Sequence, residues 1–405
     1  MRICIFTDSF MPYISGVSST ILNQANEMAR RGHEVSIFHP TTKRIDKEAV
    51  GVGLEPSIAT HGLPLSIPTP KIPKLRFAVP LFIYTYRRLR KKNPDLIHCH
   101  TEFGCGLEGM LLGRWKKVPV VGTFHTFFAE PTYLKQFHLP NLAITRYGMW
   151  KYSVTFYNRC NRLISPSDSV RDHLVEKGIK TDPIVMSNGI EMVDFLPSDE
   201  IRSFRESMGI DDFAYVYVGR ISPEKSMEVA LEAFGETRRK HPKAKFVVIG
   251  NGPSDEAVDS KIRDLGLGGS VIRTGRVERD ILMSKNYPLL GDAFITASKT
   301  ENQPISILEA MAFGLPLVGP KAKGIPELVE DGKNGYLFEP DDVKGMSAAM
   351  NLMIEDRDAT KAMGEASLAL ARTHSMEAVG DRLEGIYQGA IESMLKERAS
   401  RRSAH

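Results

Sequence analysis

The chain alternates between two hydrophobic patterns along its whole length. Short apolar runs rich in β-branched residues are bounded by turn residues, and longer stretches with helical periodicity lie between them. This alternation is typical of parallel sheets whose strands are connected by helices. The strands predicted in the first half are Ile3 to Phe6, Glu34 to Phe38, Leu96 to Cys99, Val118 to Thr123, Leu163 to Ser165 and Ile184 to Met186. The second half repeats the scheme with Tyr215 to Val218, Phe246 to Ile249, Val271 to Thr274, Ala293 to Thr296, Leu317 to Val318 and Tyr336 to Phe338.

The repeated pattern predicts an α/β protein with two doubly wound, Rossmann-like domains. A length of 405 residues agrees with this, because one hydrophobic core rarely serves so long a chain. The boundary is predicted within SNGIEMVDFLPSDE, residues 187–200, where turn residues, a proline and a charged helix start follow one another. The domains are therefore expected at residues 1–190 and 191–375.

A long helical pattern follows the second domain. It predicts a helix over residues 376–398 that crosses back to the first domain, and residues 399–405 are expected to form a disordered tail. Ligands of open α/β sheets bind at the carboxyl ends of the strands. The functional site is therefore expected in a cleft where the two domains face each other.

The composition is that of an ordinary globular protein, with 42% hydrophobic and 25% charged residues. No apolar run approaches the roughly 18 residues of a membrane span, and the run ICIF after Met1 and Arg2 is too short for a signal-peptide core. We therefore expect a cytoplasmic protein. The cysteines lack CxxC spacing, which favours buried thiols over a disulfide framework. They are Cys4, Cys99, Cys105 and Cys160.

The charge is distributed unevenly along the chain. Residues 1–190 contain 25 Lys and Arg against 14 Asp and Glu, and the remaining residues contain 28 against 35. Much of the basic excess lies in residues 41–92, which contain eleven basic and three acidic side chains. Such a patch suits an anionic partner, either a phospholipid surface or a nucleic acid, although a solvated basic face without a partner fits equally well.

The segment SKTENQPISILEAMAFG, residues 298–314, places two carboxylates around a predicted helix start. Pro304 fits the first turn, and the helix is expected to extend to Phe313 directly after a strand. A helix start at the carboxyl end of a parallel strand suits a phosphate. Glu301 could then reach the group attached to the phosphate, and Glu309 could bind a ribose diol. The alternative is that neither residue binds a ligand, in which case Glu301 is a charged loop residue and Glu309 is a surface residue of the helix.

Two cations and several glycines follow other strands of the second domain. VGRISPEK places Arg220 and Lys225 after a strand, where they could neutralise a pyrophosphate or remain solvated. Gly250, Gly252 and Gly275 also follow strands, where a missing side chain lets the backbone approach a ligand, and ordinary turns explain any one of them equally well.

These motifs together resemble the retaining glycosyltransferases of family four, which share the GT-B architecture. The resemblance rests on VGRISPEK, IGNGP, the two glutamates and EAMAFGLPLVGPKAKGIPELVEDGKNGYLF. It implies transfer of a sugar from a nucleotide diphosphate sugar that is held mainly by the second domain, generally without a metal ion or other cofactor. Arg220 and Lys225 would bind the diphosphate, Glu301 the donor sugar and Glu309 the ribose.

The segment around the first glutamate departs in part from the family pattern. Ile305, at the helix start, is expected among the donor-binding residues together with Gly250 and Gly275. Many family members have Gly-Phe or Gly-Leu after the first glutamate, whereas this chain has Asn302-Gln303-Pro304. The identity of the donor sugar therefore stays open.

The first domain fits the same resemblance. FTDSFMPYISGVSSTILNQANEMARRGHEV resembles the family's opening strand, glycine loop and helix, with Gly16 placed for backbone contact with the distal phosphate. It is not a G-x-G-x-x-G fingerprint, which argues against a dinucleotide oxidoreductase. His125 in GTFHTFF matches the family's histidine beside the transferred sugar, although a packed, hydrogen-bonded histidine is the alternative. His98 and His100 can share one strand face, but too few ligands surround them to predict zinc.

The acceptor is indicated by a narrower resemblance and by one basic segment. ISGV, HTEFG and FHTFF resemble the bacterial enzymes that glucosylate diacylglycerol and the related phosphatidylinositol mannosyltransferases. In KIPKLRFAVPLFIYTYRRLRKK, residues 71–92, a helical arrangement separates an apolar side from a basic side. The apolar side contains Phe82, Tyr86 and Leu89, and the basic side contains Arg87, Arg88, Lys91 and Lys92. A crossover helix packed on a sheet shows the same pattern.

The leading hypothesis is a glycosyltransferase at the inner face of the plasma membrane that moves glucose from a UDP-linked donor to a lipid such as diacylglycerol. A soluble acceptor, such as a sugar phosphate or polysaccharide, and a non-catalytic nucleotide-sugar binder stay open as alternatives. Nucleic-acid binding is disfavoured because aromatic stacking platforms and a recognition motif are missing.

Overall fold

The computed structural model describes residues 1–13, 15–41, 53–69, 72–82, 84–87, 93–130, 134 and 140–403. The chain divides into two compact units. Unit 1 consists of Met1–Gly189 and Met376–His405, and unit 2 consists of Ile190–Ser375. Each unit is built around its own parallel sheet.

The described part of unit 1 forms a seven-stranded parallel sheet in the order β3-β2-β1-β6-β7-β8-β9. Its strands are β1 (Arg2–Phe6), β2 (Glu34–Pro40), β3 (Ala59–Leu63), β6 (Leu96–Cys99), β7 (Val120–Thr123), β8 (Arg162–Ser165) and β9 (Ile184–Val185). A separate antiparallel hairpin contains β4 (Ser66–Thr69) and β5 (Ile72–Ala78). The strand order reverses between β1 and β6, which opens a crevice at their carboxyl ends.

Helices cover both faces of this sheet. They include α1 (Gly16–Arg30), α2 (Gly104–Lys116), α3 (Ala143–Tyr157) and α4 (Asp168–Glu176). On one face, Leu112 of α2 and Phe156 of α3 join a core with the strand residue Phe6. On the other face, Ile21 of α1 packs with Ile37 of β2 in a second core. The sheet is therefore buried on both sides, which explains why its strands read as continuous apolar runs.

The described part of unit 2 forms a six-stranded parallel sheet in the order β12-β11-β10-β13-β14-β15. Its strands are β10 (Ala214–Val218), β11 (Lys245–Ile249), β12 (Val271–Gly275), β13 (Ala293–Ile295), β14 (Leu317–Pro320) and β15 (Gly335–Phe338). Its helices are α5 (Ser198–Ser207), α6 (Met227–Lys240), α7 (Asp255–Asp264), α8 (Arg279–Ser284), α9 (Ile305–Ala312), α10 (Val343–Glu355) and α11 (Arg357–Thr373). The strand order reverses between β10 and β13.

The last helix, α12 (Met376–Ser403), packs on unit 1. Its Tyr387 is buried, and its hydroxyl lies 2.7 Å from Nδ1 of His98 in β6. At the end of α1, Arg31 donates to Asp381 of α12 at 2.6 Å and to Glu27 at 2.7 Å. The chain therefore begins and ends in the same unit.

The structure confirms all twelve predicted strands, with ends shifted by at most two residues. It adds β3, an edge strand whose sequence ATHGL is only partly apolar, and the hairpin β4–β5, whose prolines argue against strands. The expectation of a disordered tail at residues 399–405 is wrong for most of its length, because α12 continues to Ser403. No glycine or proline after Gly389 stops that helix.

The basic segment 71–92 differs from the helical arrangement predicted for it. Residues Ile72–Ala78 form β5, and helical residues begin at Phe82. The predicted positions Arg88, Leu89, Lys91 and Lys92 lie outside the described residues. Within the described part of the chain, no helix is long and apolar enough to cross a membrane.

We predict that Tyr387→Phe loosens α12 from unit 1. The change removes only a hydroxyl but leaves a buried nitrogen of His98 without its partner, which costs about 1–3 kcal/mol of unfolding free energy. Native-state hydrogen exchange should show faster exchange of the α12 amides. Tyr147→Phe is the matched control, since Tyr147 is 62% exposed in the same unit. Equal acceleration in both variants would contradict the prediction.

Candidate functional site

Unit 2 places two loops side by side where its strand order reverses. Residues 219–226 follow β10, and residues 296–304 follow β13. Because β10 and β13 are neighbouring parallel strands, both loops leave the sheet at the same edge. The hydroxyl of Ser298 in the second loop donates to the backbone carbonyl of Glu224 in the first at 3.3 Å. The candidate site of unit 2 is built on this pair of loops.

An ion pair joins the two loops. The ammonium of Lys225 contacts Oε1 of Glu301, and the hydroxyl of Ser298 donates to the same oxygen at 2.9 Å. Only 23% of the Lys225 side chain and 17% of the Glu301 side chain are exposed. Charges withdrawn from water to this extent need a partner, and each supplies it for the other. The structure thus brings together two of the residues predicted for the site.

Burial and pairing shift the pKa values of Lys225 and Glu301 in opposite directions. Burial alone would raise the pKa of the Glu301 carboxyl, but the Lys225 ammonium and the Ser298 hydroxyl bring that pKa below its usual range. Burial alone would lower the pKa of Lys225, but the Glu301 carboxylate raises it above its usual range. Both groups are therefore charged at neutral pH.

Arg220 is an exposed cation at the beginning of the first loop. The hydroxyl of Tyr217 donates to the backbone carbonyl of Arg220 at 3.0 Å and holds the loop against β10. The guanidinium of Arg220 makes no ion pair with any residue in the described ranges. It is therefore available to an anionic ligand.

The glycines after the strands are required by close backbone contacts inside unit 2. A Cβ atom on Gly250 would lie 1.9 Å from the carbonyl oxygen of Gly219, and one on Gly252 would lie 2.0 Å from that of Ile221. Gly250 also has a φ of +135°, and its amide donates to the carbonyl of Gly275 at 2.9 Å. Backbone packing therefore explains Gly250 and Gly252, and ligand contact at Gly250 and Gly275 stays a prediction.

Helix α9 begins beside the second loop, as predicted. Its N-cap residue Pro304 contributes no side-chain cap, and Ile305 is the first helical residue. The first amides of a helix have no partner within the helix, and the helix dipole makes this end positive. This end of α9 is therefore suited to an anion, three residues after Glu301.

Glu309 lies on α9 and is 8% exposed. Its carboxylate pairs with Arg279 of α8 at 3.0 Å. Burial raises the pKa of Glu309, and the charge of Arg279 opposes that rise. Arg279 was missed in the sequence, although it follows a predicted strand in the charged stretch RVERD. Glu309 is thus a buried, oriented carboxylate rather than a helix surface residue.

Gly16 is the exposed first residue of α1 in unit 1. Ser15 and Ser18 form a capping box: the amide of Ser18 donates to the Ser15 hydroxyl at 3.2 Å, and the amide of Ser15 donates to the Ser18 hydroxyl at 2.7 Å. The capping box fixes the helix start next to the carboxyl end of β1. Contact between Gly16 and a phosphate stays a prediction.

Asp8 organises the crevice of unit 1 and was missed in the sequence. Its carboxylate accepts hydrogen bonds from the Thr101 hydroxyl at 2.8 Å, the Ala78 amide at 2.8 Å and the Cys105 amide at 3.1 Å. Burial raises its pKa to about 6. Because Phe103 provides no side-chain cap for α2, Asp8 serves as that cap from a different strand. It ties together the loops after β1 and β6.

His125 follows β7 and belongs to a row of three imidazoles. Its Nε2 lies 2.9 Å from Nδ1 of His100, and the rings of His100 and His98 have centroids 3.9 Å apart. Nε2 of His98 lies 2.7 Å from the hydroxyl of Thr123, and its Nδ1 contacts Tyr387. His98 and His100 therefore lie together as their alternation in the sequence indicated.

All three imidazoles are neutral at physiological pH. Burial lowers the pKa of His98 to about 3 and that of His125 to about 4, and burial also lowers the pKa of His100 well below its usual value. Nε2 of His100 is buried and has no hydrogen-bond partner among the described residues. His100 was considered in the sequence only as a metal ligand, whereas its contact in the structure is with His125.

The predicted site residues fall into two groups. Gly16 and His125 belong to unit 1, and Arg220, Lys225, Gly250, Gly275, Glu301, Ile305 and Glu309 belong to unit 2. Unit 2 can bind an anion with two cations and a helix start, whereas the crevice of unit 1 offers uncharged imidazoles and amides. Across the described ranges, no three His, Cys, Asp or Glu side chains are grouped to hold a metal ion.

Two family models match the chain. The model described as Glycosyltransferase Family 4 matches residues 14–193, and the model described as Glycosyl transferases group 1 matches residues 200–369. The chain is 30% identical over 353 residues to an alpha-monoglucosyldiacylglycerol synthase of Acholeplasma laidlawii, covering 84% of this chain and 85% of that protein. It is also 30% identical over 400 residues to the synthase of the same name from Streptococcus pneumoniae, covering 96% and 86%.

A third relative has a different name. It is a GDP-mannose-dependent alpha-mannosyltransferase of Corynebacterium glutamicum, 27% identical over 362 residues, with 88% of this chain and 81% of that protein covered.

Solved structures agree on the architecture. The Anabaena protein HepE in complex with UDP has a TM-score of 0.78 at 20% identity, covering 96% of this chain and 100% of that chain. Sucrose-phosphate synthase from Thermosynechococcus elongatus also has a TM-score of 0.78, at 16% identity, covering 97% and 99%. These likenesses show the GT-B fold. With the family models and the relatives at 30% identity, they establish that the chain belongs to glycosyltransferase family 4.

Proposed function

We propose that this glycosyltransferase moves a hexose, glucose in the leading case, from a UDP-linked donor to a membrane lipid such as diacylglycerol, with retention of anomeric configuration. The observation that carries the proposal is the half-buried Lys225–Glu301 pair, whose lysine lies in the loop that also contains the exposed Arg220. These groups lie at the strand reversal of unit 2, where open α/β sheets bind ligands.

The donor diphosphate is assigned to the cationic side of this site. Arg220 and Lys225 supply two positive charges, and the first amides of α9, beginning at Ile305, supply hydrogen-bond donors. Charge develops on the diphosphate as its bond to the sugar breaks, and fixed cations in a partly buried site stabilise that charge strongly. The structures of HepE with UDP and with UDP-glucose support a uridine nucleotide as the first donor to test.

The two glutamates are assigned to the neutral parts of the donor. The Glu301 carboxylate is held by Lys225 and Ser298, and it is oriented to accept hydrogen bonds from hexose hydroxyls. Glu309 is held by Arg279 and accepts the ribose hydroxyls. Both carboxylates are positioned before the donor arrives, so little side-chain entropy is lost on binding.

The family resemblance supports retention and independence from metal, and the cations of unit 2 are consistent with the second of these. The bond between the sugar and the diphosphate breaks, the acceptor hydroxyl enters on the same face, and its proton passes to the departing phosphate. Arg220 and Lys225 balance the phosphate charge that a metal ion would otherwise balance. His125, neutral and close to His100, would bind sugar hydroxyls rather than exchange a proton near pH 7.

The lipid acceptor is supported by two of the relatives, each named alpha-monoglucosyldiacylglycerol synthase. The basic excess of residues 1–190 also suits an anionic bilayer at whose surface such an acceptor is found. We place the protein in the cytoplasm, peripheral to the membrane, when it acts on this lipid.

The direct test is a panel of donors and acceptors. Purified protein is incubated with UDP-glucose, UDP-galactose and GDP-mannose, each with diacylglycerol in mixed micelles or with soluble sugars, in the presence of EDTA. We expect glucosyl-diacylglycerol by mass, with an α anomeric proton coupling by NMR, and no loss of rate with EDTA. Transfer only to soluble sugars, a β product or a requirement for added metal would each overturn the corresponding part of the proposal.

A second prediction concerns the charge of Glu301. Glu301→Gln keeps the shape but leaves the buried Lys225 ammonium without its counter-charge, so we expect kcat to fall by about 10²–10³-fold. Glu256→Gln, an exposed glutamate of the same unit, is the matched control and should retain full activity. A normal kcat of the Glu301→Gln variant would show that this carboxylate is not part of the donor site.

A third prediction concerns His100 as a positioning residue for His125. His100→Phe removes the nitrogen 2.9 Å from His125, and misplacement of a substrate-binding group lowers kcat by up to about 10²-fold. His100→Asn keeps a polar group near that position and should restore part of the loss. Because burial lowers the pKa of His125 to about 4, protonation of His125 should not contribute a break near pH 6.5 to the native pH–rate profile. A break near pH 6.5 that persists in His100→Phe but disappears in His125→Ala would contradict this assignment.

A further inference from the structure

Two residues of the predicted apolar side of segment 71–92, Phe82 and Tyr86, pack within unit 1. The rings of Phe82 and Tyr86 stack with centroids 6.4 Å apart, and both contact the indole of Trp115 on α2 edge-on. Both residues also pack against the buried core of unit 1. These two rings are therefore engaged in packing within unit 1, and a more fully exposed apolar surface is found elsewhere in the unit.

Helix α3 exposes large apolar side chains near its N-terminal end. Ile144 is 70% exposed, Tyr147 is 62% exposed, and Leu142 immediately before the helix is 56% exposed. The buried residues of α3 lie toward its other end, at Ser153, Phe156 and Tyr157. The first half of α3 therefore presents an apolar surface that nothing in the described chain covers.

Basic residues predominate in the sequence around α3. Residues 131–167 contain no Asp or Glu and five Lys or Arg. Lys151 is exposed on α3, and its ammonium lies 5.9 Å from the centre of the Tyr147 ring. Exposed aliphatic and tyrosine side chains flanked by cations are the combination that binds an anionic membrane interface.

Aromatic contacts connect α3 to a second exposed apolar element. The ring of Tyr152 on α3 stacks against Phe103 with centroids 6.3 Å apart, and Phe103 contacts Phe77 of β5 at 4.9 Å. Phe77 is paired with Ile67 of β4, which is 62% exposed, and directly opposed residues point to the same face of a hairpin. A chain of ring contacts therefore connects α3 to the hairpin β4–β5.

The same surface reaches the candidate site of unit 1. The hydroxyl of Tyr152 donates to the backbone carbonyl of Glu102 at 2.5 Å. Glu102 lies two residues after His100, whose Nδ1 contacts His125. A lipid whose chains lie along the aromatic residues would thus place its polar head near the crevice of unit 1.

We propose that the surface formed by Leu142, Ile144, Tyr147 and Ile67 inserts into an anionic bilayer and guides the acyl chains of the lipid acceptor toward His125. The proposed insertion into the bilayer is argued only from the exposure and charge of this surface. That the guided acyl chains belong to the acceptor lipid rests on the proposed function. The basic residues in the sequence of segment 71–92 then contribute long-range attraction, and α3 contributes the apolar contact.

Vesicle binding tests the insertion. Full-length protein is sedimented with vesicles of phosphatidylcholine and phosphatidylglycerol, and Ile144→Ser/Tyr147→Ser is compared with Val175→Ser/Leu395→Ser. The control residues are 49% and 56% exposed in the same unit. We expect the first double variant to lose about 10- to 100-fold in partition coefficient and the control to bind as the native chain does. Equal binding by both variants, or equal losses, would overturn the proposal.

Site-specific labelling gives a positive signal. The four native cysteines are buried and free, so a cysteine introduced as Ile144→Cys can be labelled selectively with an environment-sensitive fluorophore. We expect a blue shift on adding anionic vesicles for the label at position 144 and none for Leu395→Cys. Absence of a shift at position 144 while the protein sediments with vesicles would show that another surface inserts.

Two further measurements separate this proposal from its rivals. Sedimentation equilibrium without lipid detects a second copy of the chain on the same surface, and dimers abolished by Ile144→Ser/Tyr147→Ser would overturn a membrane role.

In the Ile144→Ser/Tyr147→Ser variant, turnover of diacylglycerol in vesicles should fall in parallel with vesicle binding, while UDP release to water without lipid should not change. If no nucleotide sugar is turned over but vesicle binding depends on Ile144 and Tyr147, the proposed membrane surface is supported and the proposed function is wrong.

Discussion

The half-buried ion pair between Lys225 and Glu301 is the interaction on which the candidate site of unit 2 depends. Neither charge could remain so poorly exposed without the other, because desolvation of a lone charge costs several kcal/mol. The pair forms only because β10 and β13 are neighbours, which in turn requires the strand order to reverse there. The topology of the sheet therefore determines where a cation and a carboxylate can meet, and Arg220 is positioned by the same loop.

Unit 1 uses its own strand reversal with different chemistry. Asp8 and Thr101 join the loops after β1 and β6, but the groups at that edge are neutral imidazoles rather than paired charges. The edge in unit 2 is therefore the better suited of the two to an anion, although residues 1–190 have the larger excess of basic residues.

The sequence predicted the parallel sheets because strands buried on both faces are apolar throughout, and helix α9 because Pro304 and Gly314 mark its ends. It could not predict β3 and the hairpin, whose polar and proline residues are tolerated at exposed positions. The roles of Arg279, Asp8 and His100 were missed in the sequence for a common reason. Each acts on a residue from another strand or helix, at Glu309, Cys105 and His125, and such long-range partners leave no local pattern.

The two apolar and basic segments of unit 1 illustrate what periodicity alone cannot decide. Phe82 and Tyr86 lie on the predicted apolar side in the sequence but pack against Trp115 and the core of unit 1. Ile144 and Tyr147, which the sequence analysis did not single out, are exposed. Periodicity shows that a helix has an apolar side, but only the tertiary structure shows whether protein already covers it. Exposed side chains of this size cost solubility in water, and a bilayer surface removes that cost, since the same groups are stabilised when they leave water.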